Sequence, residues 1–388
     1  MNVIDTDTLR VGQVFSEPVY SEGENLLVPA LIPLLQRDID FLYTWGIDDV
    51  LTEGYLLSDE EVEALTKEPV KHVNLMDVEL SISDVQKNSG PYRSYKSLIE
   101  KLDGVFVGIK SGVNIEMRVI DNISGQLLND LRDNPNNFIG FILGGEVMGH
   151  ELAKSSVNTA ILSALTAQEL RLPNHKILNI VSGALLHDIG MIRLSKGITE
   201  KKGGLSDAEF EQIKSHTVHS SKIVSKELFG NNEVNQIALH HHERWDGKGY
   251  PDKLTGNAID MGARIVSVAD AFEAMVSKKS YRESIVGYQA VKNMLADNAR
   301  RFDPAVIMAF TKIMGIYPIG SIIRLNDESV ARVLSVNSNA PMRPIVEILI
   351  SKAGKIYKSG AGEVIDLLAE KSLFIKKAMD PAEFSSTE

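Results

Sequence analysis

The sequence predicts a mainly α-helical protein, an all-helical domain with a small α+β module before it and a small β-rich module after it. Two observations predict this. From about Tyr95, apolar residues recur at steps of three and four for about 220 residues, the period of helices that bury one face. Near Tyr317 that period gives way to short β-branched runs separated by turn residues, the pattern of strands. A chain of 388 residues, at roughly 150 per domain, has room for two or three such units.

Residues 1–55 carry β-type runs at Val11–Phe15 and Asn25–Val28, then a helical stretch, then Gly46 before a further strand at Ile47–Leu51. These make the α+β module. Residues 56–135 read as a linker and helical connector: Ser58 to Pro91 is acid-rich and poorly periodic, and Val119, Ile123, Leu127 and Leu131 then mark one helix face. Residues 136–316 form the main helical domain. Residues 317–388 form the β-rich module, with strands at Ile322–Leu325, Val330–Leu334 and Ile345–Ile350. No fixed-period repeat interrupts this order.

Composition excludes several classes of function. There are 41 Lys and Arg against 52 Asp and Glu, a net charge of −11. An acidic surface repels polyphosphate backbones, which argues against a partner that is a nucleic-acid polymer. Cysteine is absent, so disulfides, thiolate zinc sites and thiol nucleophiles are excluded together. The amino terminus lacks the apolar core of a secretory signal. No stretch reaches the roughly 18 apolar residues of a spanning helix; the best, Ala305–Ile323, is broken by Lys312, Gly315 and Pro318. A cytoplasmic protein is expected.

Eight of the nine histidines fall between 150 and 242. His187 and Asp188 end an apolar helix, where both can face one cation, the carboxylate serving as a bridge between two. Ser206 with Glu209 forms a capping box, opening a helix whose apolar stripe runs through Phe210, Ile213, His216 and Ile223. In the next helix, Asn231 to about Trp245, steps of three or four from Val234, Ile237 and Ala238 arrive at His241 and His242, with His240 toward the polar side. Asp270 lies within the apolar run Arg264–Phe272, where a lone carboxylate is costly and needs a cation, either a metal or an Arg such as Arg264 or Arg282. One tetrahedral ion would satisfy four ligands and leave two unexplained. Two cations bridged by Asp188 use His187, Asp188, His216, His241, His242 and Asp270 together. Such centres activate water and clamp the attacking and leaving oxygens of a phosphate ester.

The pair His187-Asp188, followed by the string from His241-His242-Glu243 through Asp246-Gly247-Lys248-Gly249-Tyr250-Pro251, resembles the HD-GYP family of HD-domain metal hydrolases over roughly residues 140–316. The resemblance implies an all-helical domain with two or three divalent metal ions, iron or manganese, that hydrolyses the bacterial second messenger cyclic di-GMP to pGpG or GMP. It implies metal ligation by the six residues above, with Glu151 as a further acidic ligand in a three-metal centre. Asp188 and Asp270 would serve catalysis by holding the metals, and Tyr250, Lys279 and Arg282 would reach the substrate. Implied partners are cyclic di-GMP and signalling proteins such as GGDEF cyclases, and pairing of two chains is an open option.

Two positions depart from the family pattern. Ser155 stands where the family places a histidine before an apolar helix, and Met191 stands where a lysine follows the glycine of the His-Asp motif. Methionine cannot donate to a phosphate oxygen. The departures motivate a second expectation, a catalytically weak or inactive relative that binds the messenger as a receptor or docks a partner.

Overall fold

The computed structural model describes residues 2–379 apart from 22–24, 29, 31, 32, 46, 59–88, 145–148, 200, 202, 205, 278–286, 297, 338 and 359. The fold divides into two units, one formed by residues 1–80 with 315–388, the other by 81–314. The first unit contains an antiparallel sheet of β1 (Asn2–Asp5), β2 (Val19–Ser21), β3 (Asn25–Val28) and β4 (Asp49–Thr52), in the order β1-β4-β2-β3, with helix α1 (Gln36–Trp45). Its core gathers Val19, Val50, Leu34 and Leu42 around Phe15. The run Val11–Phe15, expected as a strand, makes only isolated bridges, Val14 with Pro33 and Phe15 with Leu56.

The second unit is helical. It runs through α2 (Gly90–Lys110), α3 (Met117–Asp133), α4 (Pro135–Gly144), α5 (Glu151–Glu169), α6 (Asn174–Leu186), α7 (Lys196–Thr199), α8 (Asp207–Lys214), α9 (His216–Lys222), α10 (Asn232–His240), α11 (Met261–Val276), α12 (Gly287–Ala296), α13 (Asn298–Arg301) and α14 (Pro304–Met314). The Ser89-Gly90-Pro91 stretch, expected to end the linker, instead starts α2. Ser89 Oγ accepts from Tyr92 N–H at 3.3 Å, and Pro91 sits in the first turn, where its missing N–H costs nothing. In α3 the buried stripe is Ile120, Ile123, Leu127 and Leu131, while Val119 is exposed. The linker region 59–88 lies outside the described residues.

Helix α5 is buried along most of its length and rich in Ala, Ser and Thr. Small side chains let neighbouring helices approach closely, and α6 and α11 pack against it. The same economy operates at Gly183 and Gly262, where an added Cβ would lie 2.7 and 2.6 Å from Ile237. Helices α6, α10 and α11 are thereby drawn together, and all three end at or carry the residues singled out for metal chemistry.

The helix expected to run from Ser206 to Ile223 is divided. Helix α8 ends at Lys214, Ser215 turns, and α9 begins at His216 before a π-helical turn at Ile223–Glu227. None of α8 is buried. It is held instead by its capping box, Ser206 N–H donating to Glu209 Oε2 at 2.8 Å, and by Lys201 Nζ at 2.6 Å from the same oxygen. Lys201 first, and then Ser206, lower the Glu209 carboxyl to about 2. A depressed acid stabilises the fold above its unfolded value and loses that contribution as pH falls through its folded value. The cap is therefore expected to stay closed above roughly pH 4.5 and to open as pH falls toward 2. Amide exchange at Ser206 and Glu209 measures this, and protection unchanged down to pH 2 would contradict it.

In the first unit the carboxyl-terminal sheet contains β5 (Ile322–Leu325), β6 (Val330–Ser335), β7 (Ile345–Ile350), β8 (Val364–Asp366) and β9 (Ile375–Met379), antiparallel in the order β8-β7-β6-β5-β9. The three expected strands are its centre. The two edge strands are short and carry a weaker alternation signal. Among the described residues no helix is long and apolar enough to cross a membrane.

Candidate metal centre

His187 caps the carboxyl end of α6, His216 opens α9, and His241 follows the last turn of α10. All three are buried. Each ring directs Nδ1 at the carbonyl three residues earlier: His187 to Ala184 at 2.7 Å, His216 to Ile213 at 2.6 Å, His241 to Ala238 at 3.1 Å. A carbonyl can only accept, so Nδ1 carries the proton and Nε2 presents a lone pair. This is how a protein fixes the tautomer of an imidazole ligand.

Those Nε2 atoms converge on carboxylates and on one another. His216 Nε2 lies 3.1 Å from Asp188 Oδ1 and 3.3 Å from His241 Nε2, and His241 Nε2 lies 3.7 Å from the same oxygen. His187 Nε2 lies 3.5 Å from Asp188 Oδ2 and 3.6 Å from Asp270 Oδ1 and has no hydrogen-bond partner, although buried. Lone pairs facing lone pairs and carboxylates in a buried site repel unless something positive lies between them. The ligand atoms fall into two groups, Asp188 with His216, His241 and His242, and His187 with Asp188 and Asp270, each set within 4.8 Å of one another. Asp188 belongs to both, one carboxylate oxygen facing each.

Electrostatics carry the same signature. Burial disfavours a charged His187, but Asp188 and Asp270 outweigh it and raise the imidazole to about 9. Asp188 is held well below the carboxylate range, its burial overcome by His187 and His216, and Asp270 falls to about 2, mainly through His187. His242 is driven far down by burial and then by His241. Asp188 and Asp270 thus favour positive charge at this point, whether a proton or a cation carries it. The donor set, imidazole nitrogens and carboxylate oxygens without sulfur, suits divalent first-row cations.

The loop after His242 is built by backbone contacts. Buried Glu243 accepts from Asp252 N–H at 2.7 Å and Leu254 N–H at 3.1 Å, and Arg244 forks Asp246 at 3.0 and 2.9 Å. At Gly249 a Cβ would lie 2.4 Å from Arg244 N and 2.6 Å from His242 O, so only glycine lets the loop fold back. Tyr250 then packs against His242, ring centres 4.8 Å apart. Burial and then Asp188 and Asp270 raise the Tyr250 hydroxyl, which keeps it protonated as a donor. A cleft of about 830 Å³ opens here, reaching His242, Tyr250 and Asp270 and lined by Lys214, Lys248 and Arg301.

The structure brings together His187, Asp188, His216, His241, His242 and Asp270, and Tyr250 beside them. Glu151 is exposed at the start of α5 and is in neither ligand group. Lys279 and Arg282 lie outside the described residues. Arg264 pairs with Asp303 at 2.7 Å, which leaves Asp270 to the histidines. His240, expected on the polar side, is buried and bonded to Asp252 at 2.9 Å, because α10 ends there and the loop returns over it. Ser155 donates to buried Glu273 at 2.6 Å, and Met191 is half-buried on the 3₁₀ turn Ile189–Arg193. Gly190 and Glu243 were not singled out as site residues: an added Cβ at Gly190 would meet His216 O and Ser220 N, and Glu243 accepts from loop amides, backbone groups that no spacing rule marks.

A helical unit closing on a His-Asp pair and further imidazoles is the architecture of an HD domain. Residues 148–306 match the family described as HD domain, and 322–387 match the one described as KOW domain associated with HD domain. The resemblance read from the His187-Asp188 pair and the His241–Pro251 string is borne out by the HD-domain match and by relatives named cyclic di-GMP phosphodiesterases. The chain is 26% identical to cyclic di-GMP phosphodiesterase PdeB of Borreliella burgdorferi, over 93% of this chain and 92% of that one. It is 32% identical to cyclic di-GMP phosphodiesterase PA4108 of Pseudomonas aeruginosa, over 52% and 48%, and 37% identical to a cyclic di-GMP phosphodiesterase of Thermotoga maritima, over 39% and 42%. It thus spans nine-tenths of the first relative and under half of the other two.

Proposed function

We propose that this chain is a metal-dependent phosphodiesterase that hydrolyses cyclic di-GMP to pGpG or GMP. The observation that carries this is the convergence of imidazole Nε2 lone pairs on two carboxylates, with Asp188 common to both groups. We assign His187, Asp188 and Asp270 to one divalent ion and Asp188, His216, His241 and His242 to a second, iron or manganese, with Glu151 open to a third. Divalent ions held there supply Lewis acidity and water activation. Tyr250 donates a hydrogen bond toward the substrate, and the lysines and Arg301 of the cleft give an acidic chain the local cations that a dianion requires. Lys279 and Arg282 complete that set by resemblance. The names of the relatives support the substrate. We place the activity in bacterial cytoplasmic signalling, with GGDEF-type proteins and a second copy of the chain as candidate partners.

A receptor without turnover is the second reading, favoured by Ser155, whose hydroxyl is committed to Glu273, and by Met191 in place of a cation. Metal analysis and incubation with cyclic di-GMP plus manganese or ferrous iron separate the two. Two metals per chain with pGpG or GMP formed is the expected result; metal and binding without product would select the receptor. Cleavage of nucleoside monophosphates alone would reject both. His241→Ala is expected to lower metal stoichiometry, and an unchanged value would refute the ligand assignment.

A further inference from the structure

We propose that Phe210 is a base-stacking residue of the cleft, setting affinity for a nucleobase-bearing ligand; this rests on the cyclic dinucleotide reading above. Phe210 is 47% exposed on α8, a helix that buries no residue at all. A ring that adds nothing to the core is held in place by the capping box and the Lys201 ion pair. It lines the same cleft as His242, Tyr250 and Asp270. One exposed phenylalanine is ordinary, but this one has company. The Lys214 ammonium lies 4.8 Å from the Phe210 ring centre and 5.6 Å from that of Tyr250, and it is tied to Glu211 at 2.5 Å.

Two aromatic faces and a cation on one wall suit a ligand that is flat and anionic in adjacent parts. Bases stack on such rings whatever their hydrogen-bonding edge, because each has a π-face, and the neighbouring ammonium meets the phosphate. Phe210 lies on the rim, while the ligand groups lie at the buried end. It therefore contributes binding that is equal in ground and transition states, which raises KM on removal and leaves kcat in place.

The test compares wild type with Phe210→Ala, Phe210→Leu and Phe210→Trp as metal-loaded, full-length proteins. Cyclic di-GMP is the base-bearing probe and inorganic phosphate, as a competitive inhibitor, the base-free one. Alanine and leucine are expected to weaken cyclic di-GMP binding about tenfold, with tryptophan restoring it and phosphate inhibition unchanged throughout. Leucine matching phenylalanine, or alanine leaving the affinity unchanged, would overturn the stacking role while the proposed activity stands. A wild-type protein that holds its metals and does not bind cyclic di-GMP would overturn both. Circular dichroism of each variant confirms that α8, which has no core to lose, leaves the fold intact.

Discussion

Asp188→Asn is expected to strip both ions from the chain. The substitution keeps the shape of the side chain and removes the one carboxylate whose two oxygens face the two ligand groups, Oδ1 toward His216 and His241 and Oδ2 toward His187. An outer partner of a metal ligand is typically worth about tenfold to hundredfold in metal affinity. If Asp188 is shared by two ions, as proposed, its loss exceeds that, and the proposed phosphodiesterase turnover should fall by about three orders of magnitude or more. Without metal the variant should remain folded, because Asp270 still faces His187 and an imidazole deprived of Asp188 can shed its proton. Metal analysis after gel filtration and product formation at saturating manganese measure the two effects. A variant retaining two ions per chain would mean that Asp188 does not bridge.

Gly190→Ala should damage the same centre by a different route. A Cβ there would lie 2.1 Å from His216 O and 2.5 Å from Ser220 N, and Gly190 N–H donates to Ser220 Oγ at 2.8 Å. These are backbone and near-backbone atoms of α9, so no side chain can swing away. Overpacking of well-packed interiors costs about 1–3 kcal/mol, and here relief requires the end of α6 to separate from α9. That displacement carries His187 and Asp188 away from His216. We expect a destabilisation of about 2 kcal/mol or more in urea melts, together with weaker metal retention. Gly197→Ala is the control, with nothing within 4 Å of its added carbon and a helical position that favours alanine. Equal stability of the two variants would show that α6 and α9 are not locked at this point.

Much of the site was legible because its chemistry resides in residue types. Histidine and aspartate at the ends and on the apolar faces of helices are unusual, so His187, Asp188, His216, His241, His242 and Asp270 stand out before any coordinate is known, and the string through Tyr250 narrows them to one family. The helical period likewise marked the central domain, and β-branched runs marked the three middle strands of the last sheet. Edge strands β8 and β9 escaped because a strand exposed on one side and paired on one side carries little alternation.

What the chain alone determined is therefore the inventory: which atoms can ligate, that none is sulfur, and that most ride on amphipathic helices. Only the folded arrangement decided which imidazole nitrogen is left bare, since the Nδ1 proton is fixed by a carbonyl one turn back and the helix end must terminate there to offer it. It decided too that His240 turns inward to Asp252, that Arg264 goes to Asp303 rather than Asp270, and that Phe210 leaves the core for the cleft. The physical reason is common to all of these. Periodicity reports which face of a single helix is apolar, whereas a partner hundreds of atoms away along the chain is chosen by packing, through close approaches such as those at Gly190 and Gly249 that have no local signature.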